Sequence, residues 1–265
     1  MKLTLSLAQI DVATSDPEAN LAKVESIVAE AARRKSDLVC LPEMWTTGFN
    51  WDYNRRTAAG HARTSERIAD MARRHSIWIN GSTPEPAGPE RLSNSSVLYA
   101  PDGKRAGVYG KAHLFSFMGE DRHMVPGASL CLAETPWGAT GLAVCYDVRF
   151  PELFRTYALG GAKLVLLPAA FPHPRLEHWR VLVRARAIEN QMFVAAVNQV
   201  GVEELSDGTV TYFGNSMIVD PWGVIVAEAG EEEALVTATI DTGMADEVRA
   251  KMRVLEDRRP DLYGL

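Results

Sequence analysis

Cysteine is scarce in this 265-residue chain: Cys40, Cys131 and Cys145 are the whole complement, an odd number with no close pairing pattern. That argues against a disulfide framework and for a reducing compartment, so the expected address is the cytoplasm. A dominant sign of charge is also missing. The 28 Lys plus Arg against 34 Asp plus Glu leave a net −6, with both signs mixed along the chain, which disfavours a nucleic-acid partner. No apolar run approaches the roughly 18 residues needed to cross a bilayer, so no membrane partner is expected. The start Met1-Lys2-Leu3-Thr4-Leu5-Ser6-Leu7 briefly resembles a signal peptide, but apolar and polar residues alternate and Gln9 and Asp11 follow, which reads as a strand. His61, His75, His113, His123, His173 and His178 lack paired ligand spacing, so neither a metal nor another cofactor is expected. Linkers, repeats and low-complexity segments are absent too. One domain over residues 1–265 follows, with 46% apolar content ample for its core.

What is present reads as alternating strands and helices. Leu3, Leu5 and Leu7 line one face of a first strand, Asp16-Pro17 supplies an N-cap with proline at the first helical position, and Leu21, Val24, Ile27, Val28 and Ala31 continue at helical spacing. Residues 38–41 are apolar throughout, as in a buried strand, so the first βαβ unit ends at Glu43. A helix over 64–75 and a strand over 77–79 repeat the order. Strands over 95–99 and 105–109 flank the turn residues Pro101-Asp102-Gly103 and deliver Lys111. The run Gly141-Leu142-Ala143-Val144 leads to Cys145, and Pro151-Glu152-Leu153 starts a helix closed by Gly160-Gly161. Further strands are expected at 164–167, 193–198, 215–219, 224–228 and 235–240, with helices at 177–190 and 242–256. The fold class is α/β with mixed sheets, whose strand order periodicity does not fix.

The chemistry gathers where strands end. A cysteine in an apolar stretch is commonly core, and Cys40 and Cys131 fit that description. Cys145 differs because polar residues follow at once and a helix begins nearby, whose N-terminal end favours a thiolate. A sharp strand-to-helix bend would expose it as a nucleophile. Glu43 at one strand end could take its proton, and Lys111 at another could hold an oxyanion, with no histidine taking part.

These residues lie in three motifs, Leu41-Pro42-Glu43, Tyr109-Gly110-Lys111-Ala112-His113-Leu114-Phe115 and Cys145-Tyr146-Asp147-Val148-Arg149-Phe150-Pro151-Glu152. In that order they resemble the nitrilase superfamily of carbon-nitrogen hydrolases, and the likeness covers essentially the whole chain, with further matches at residues 184–190 and in Asp220-Pro221-Trp222-Gly223. The resemblance implies a four-layer αββα sandwich with two mixed sheets, commonly paired through its outer helices, so a homodimer or larger homo-oligomer is expected. It implies Cys145 as nucleophile, Glu43 as general base and acid, Lys111 with the Tyr146 backbone N–H as oxyanion hole, and Glu120 as a second, substrate-positioning glutamate. Tyr146-Asp147-Val148 after the cysteine differs from the Trp-Glu-Asn usual in nitrilases proper, which makes a nitrile an unexpected substrate.

The cysteine motif is similar to those of omega-amidases and deaminated-glutathione amidases, so the expected partner is a small-molecule amide. Phe171-Pro172-His173-Pro174-Arg175 with His178-Trp179 resembles a substrate wall of bacterial omega-amidases, whereas Arg258-Arg259-Pro260-Asp261-Leu262-Tyr263-Gly264 is closer to the other branch. An N-carbamoyl amino acid is a third option. Arg175 is the candidate for a substrate carboxylate, with Phe171, His178 and Phe49 as pocket candidates. Arg149 is expected to lock the cysteine bend through an ion pair with Asp147 or Glu152.

Two other classes compete: a papain-like protease using His113 or His178 as base, and a non-catalytic scaffold. Replacing Glu43 with Gln separates the protease from the amidase. The variant is expected to lose amide turnover, whereas a Cys-His protease would keep most of its activity, and assays of both substrate types decide.

Overall fold

A computed structural model describes residues 1–88, 91–205 and 208–263, with the side chains of Ala59, Leu205 and Tyr263 left aside. Gly264 of the C-terminal motif lies outside the described residues. In chain order the elements are β1 (Lys2–Gln9), α1 (Pro17–Arg33), β2 (Leu38–Cys40), α2 (Trp51–Arg56), α3 (His61–His75), β3 (Trp78–Pro86), β4 (Leu92–Tyr99), β5 (Arg105–Gly110) and α4 (Glu120–His123). There follow β6 (Leu132–Ala133), β7 (Thr140–Leu142), α5 (Pro151–Leu159), β8 (Leu164–Ala169), α6 (Leu176–Asn190), β9 (Phe193–Asn198), β10 (Val200–Leu205) and β11 (Gly208–Phe213). Last come β12 (Met217–Val219), β13 (Ile225–Glu228), β14 (Ala234–Asp241), α7 (Gly243–Lys251) and α8 (Pro260–Tyr263).

Two six-stranded mixed sheets form, ordered β14-β1-β2-β3-β4-β5 and β13-β12-β9-β8-β7-β6. Each has a parallel centre, β1-β2-β3 in one and β7-β8-β9 in the other, with antiparallel strands outside. Period-2 alternation divides β1 between two cores: Leu3, Leu5 and Leu7 share the core between the sheets with Leu142, Val144 and Val197, whereas Ala8, with Ile10 just beyond the strand, joins the layer under α1 and α3. The far face of the second sheet is covered by α5 and α6 through Phe154, Tyr157, Trp179 and Val183. The layers therefore run helix, sheet, sheet, helix, as the motif resemblance implies. Among the described residues no helix is long and apolar enough to cross a membrane.

Two expected bounds need correction, and one element is new. The strand expected from 215 starts at Met217, because Asn215 has φ 54° and turns the chain. The last helix ends at Lys251 and not at 256, since Met252 is extended and gives its carbonyl to Gln191 Nε2 at 2.7 Å. The β10-β11 ribbon was not anticipated. Its two strands pair with each other and are tied to the rest of the fold by single bridges, Val200 to Asp11 and Tyr212 to Pro172; Glu203 and Tyr212 are buried on one face, whereas Val202 on the other is exposed.

The sheet-to-sheet layer carries the stability of this arrangement. Leu5→Ala is expected to cost about 2–5 kcal/mol, the range for a buried leucine truncation, and the exposed Val224→Ala less than about 0.5 kcal/mol. Urea denaturation of both variants, at unchanged slope, measures the contrast.

Candidate active site

Glu43 lies just past β2, where Leu41 N donates to Asn80 O at 2.7 Å and Glu43 N to Ala169 O of the opposite sheet at 3.3 Å. The next residue, Met44, takes φ 49°, and its N–H is held by Ser82 Oγ at 2.9 Å, so the carboxylate turns inward at a fixed point. Lys111 follows β5, its N–H bonded to Asn94 O at 2.8 Å and its carbonyl accepting from Gly127 N at 2.9 Å. Gly127 must be glycine for this crossing, because a Cβ there would stand 2.0 Å from Gly110 O. Cys145 opens a short 3-10 turn, Cys145–Arg149, with φ 45°, a left-handed conformation that a non-glycine residue holds only when its surroundings fix it.

Asp147 supplies that fixing. Its buried carboxylate accepts from Val144 N at 2.8 Å, Tyr109 Oη at 2.9 Å, His113 N at 3.2 Å and His113 Nδ1 at 2.7 Å. One side chain thus ties the cysteine bend to both sides of the lysine segment. It leaves no oxygen for Arg149, and the ion pair expected there does not form. Arg149 instead lies over the rings of Phe171 and Tyr146, at 5.2 Å and 6.0 Å, with Nη2 donating to His178 Nδ1 at 3.2 Å.

The Lys111 ammonium sits between two carboxylates, 2.8 Å from Glu43 Oε1 and 2.6 Å from Glu120 Oε2, with all three side chains at most 2% exposed. Asn94 Nδ2 donates to both acids, to Glu43 Oε1 at 2.7 Å and Glu120 Oε1 at 2.9 Å, and Ala170 N donates to Glu43 Oε2 at 3.1 Å. Burial opposes the lysine's charge, yet Glu120 and Glu43 overcome it and hold its pKa above the ordinary range. Burial also pushes the Glu43 carboxyl up, against Lys111 and together with the charge of Glu120. The Cys145 thiol is pushed up by burial and then by Glu43, more than Lys111 offsets. The resting site therefore favours a protonated thiol beside its acceptor and not the free thiolate that the bend alone suggested.

Glu43, Lys111, Glu120, Cys145 and Phe49 line one inner cavity of about 20 Å³ together with Trp51, Phe115, Met118 and Ala170. Phe49, Trp51 and Met118 also border an outer hollow of about 550 Å³ that reaches Phe117, His123 and Val210. The other sequence candidates lie around this centre. Tyr146 follows the cysteine directly, its ring 4.9 Å from Phe115. Phe171 is buried against Trp179 and Phe213, His178 is exposed, and Arg175 reaches over Phe115 and Phe117 at 5.8 Å and 5.3 Å. Among the described residues neither Arg149 nor Arg175 has a carboxylate in ion-pair range, and no group of three His, Cys, Asp or Glu side chains is placed to hold a metal. Sequence reasoning missed Asn94, Ser82, Trp51 and Met118. The only signal for the first two was a polar run on strands otherwise fit for burial.

The raised thiol makes a measurable claim. The 240 nm absorbance difference between the native protein and Cys145→Ala is expected to stay flat at neutral pH and rise only above the ordinary cysteine pKa of 9.0. A thiolate signal already present at pH 7 would contradict the electrostatics.

Comparison with known proteins agrees with this geometry. The carbon-nitrogen hydrolase family matches residues 4–250. The chain is similar to a 2-oxoglutaramate amidase of Bacillus subtilis (strain 168), 35% identical over 99% of this chain and 100% of the relative. Among solved structures it superposes on a carbon-nitrogen hydrolase from Helicobacter pylori G27 with TM-score 0.93 at 26% identity, covering 99% of this chain and 97% of that one. It also superposes, at TM-score 0.88 and 28% identity over 98% and 95% of the chains, on an amidase variant from Nesterenkonia sp. AN1 that shows the acetamide moiety of fluoroacetamide added covalently at the active-site cysteine. With its two mixed sheets and the match over nearly its whole length, the chain belongs to the carbon-nitrogen hydrolase family of the nitrilase superfamily, hydrolases of carbon–nitrogen bonds other than peptide bonds.

Proposed function

We propose that the protein is a cysteine amidase acting on the carboxamide of a short omega-amide, of the 2-oxoglutaramate or succinamate type, with release of ammonia. The observation that carries this reading is the buried Lys111 ammonium, bound by Glu43 and Glu120 in the same cavity as Cys145. Glu43 takes the thiol proton as Sγ bonds to the amide carbon. The carbonyl oxygen becomes an oxyanion, held by Lys111 and the Tyr146 N–H. Collapse breaks the C–N bond, Glu43 returns its proton to the nitrogen, and ammonia leaves a thioester behind. Water, deprotonated by Glu43, then attacks the thioester, and the departing sulfur recovers a proton.

The small inner cavity suits a primary amide head. Arg149 and Arg175, without acidic partners among the described residues, suit the far carboxylate of a dicarboxylic acid. The similarity to a 2-oxoglutaramate amidase supports the same substrate class. A deaminated peptide such as deaminated glutathione, or an N-carbamoyl amino acid, is the second reading. The outer hollow favours it, having room for a longer tail.

Turnover of 2-oxoglutaramate, succinamate, glutamine, deaminated glutathione and a simple nitrile, followed by ammonia release and by product analysis, tests both readings. Rapid turnover of the first two, lost in Cys145→Ala, is the expected result. Turnover of deaminated glutathione alone would move the substrate to the second reading. Lys111→Met is expected to lower kcat by about 10²–10³, the range for losing one oxyanion donor.

A further inference from the structure

Among the described residues, Asn94 is the side chain outside the Glu43-Lys111-Glu120 trio that touches both acids of the site. Its amide nitrogen carries two N–H groups, and both are used, one on Glu43 Oε1 at 2.7 Å and one on Glu120 Oε1 at 2.9 Å. Its Oδ1 accepts from Ser82 Oγ at 2.6 Å, and Ser82 Oγ in turn accepts from Met44 N, beside Glu43. This chain fixes which way the amide faces, since a flipped amide would set its oxygen against two carboxylates and its nitrogen against Ser82. The backbone contributes as well, because Asn94 O accepts from Lys111 N at 2.8 Å. The residue is fully buried on β4, between the two segments that deliver base and ammonium.

We propose that Asn94 is a positioning residue that holds Glu43 in its charged, base-competent form while fixing its distance from Lys111. The inference rests on the reading of Glu43 as base. The physical reason is that donors to an ionised carboxylate favour the ionised form. Glu43 needs such help, because burial and the neighbouring Glu120 both push its proton on. The groups that bear on it are Lys111 past β5, Glu120 on α4, Cys145 at the bend and Tyr212 on β11. Of these only Lys111 carries positive charge, and Glu120 shares it. Asn94 adds a donor without adding charge, so it favours the Glu43 anion without competing for the Lys111 ammonium.

Alkylation of Cys145 by iodoacetamide, followed by mass spectrometry from pH 4 to 9, reads the base without requiring amide turnover. In the wild-type protein the rate falls on the acid side as Glu43 takes up a proton, and that limb is absent in Glu43→Gln. In Asn94→Leu the limb is expected to move up by about one pH unit, the equivalent of one lost hydrogen bond to a charged group. In Glu120→Gln it moves the opposite way, because a charge that raises Glu43 is gone. Loss of mere structural support would lower the rate at every pH and leave the limb in place. An unmoved limb in a folded Asn94→Leu overturns the proposal. If that variant does not fold, Ser82→Ala decides, with a smaller upward shift expected and none overturning it. Profiles that coincide in wild type and Glu43→Gln would remove Glu43 as base and the proposal with it, whereas failure of every amide in turnover assays would touch only the substrate assignment.

Discussion

The buried ammonium of Lys111 between Glu43 and Glu120 is the constraint around which the surrounding structure is organised. Taking three ionised groups out of water costs several kcal/mol per ion unless each is closely paired and its remaining hydrogen-bonding capacity is met. The polar strand interiors meet it. Asn94 serves both acids, Ala170 N and Phe115 N serve one each, and Ser82 holds Asn94 in the one useful orientation. Ser82 on β3 and Asn94 on β4, which interrupt the apolar pattern of those strands, are therefore the support of the charges and not weak points of the core. Removing one member of such a trio leaves an unmatched charge, typically a loss of about 3–5 kcal/mol.

A second carboxylate plays a different part. Asp147 makes four hydrogen bonds and no ion pair with Arg149, and its partners come from the cysteine bend and from both sides of Lys111. His113 is engaged here, and His178 accepts from Arg149, so both imidazoles available to a protease-like mechanism have other partners. Arg149 is released toward the rings of Tyr146 and Phe171, where it meets the field of Arg175. The same carboxylate thus fixes the nucleophile and leaves a cation near it that has no acidic partner among the described residues.

Much of this was legible in the sequence because it follows from strand periodicity. Glu43, Lys111 and Cys145 each end an apolar or alternating strand, and a strand end is where a side chain can be both rigid and accessible. Glu120 was legible only through motif resemblance, since Gly119-Glu120-Asp121 has the composition of a surface turn. The fold buries Glu120 and exposes Asp121. Asn94 was not legible, because no local pattern tells which polar residue of Ser93-Asn94-Ser95-Ser96 faces a charge. Arg149 was given the wrong partner because proximity in sequence to Asp147 says nothing about which donors reach that carboxylate first. The β10-β11 ribbon escaped because Val202, Glu204 and Thr211 are exposed and leave it little apolar pattern, although its Glu203 holds Phe49 N at 2.8 Å and so shapes the cavity wall.

Glu43 and Cys145 belong to different sheets, and the contacts that set their separation cross the seam: Glu43 N to Ala169 O, Ala170 N to Glu43 Oε2, and Tyr109 Oη to Asp147. The distance over which the proton must move is thus fixed by how the two sheets lie on one another. Packing of leucines and valines far from the cavity acts as a mechanical gauge for the reaction. A slide of one sheet over the other by a fraction of an ångström, too small to unfold anything, would lengthen that proton path.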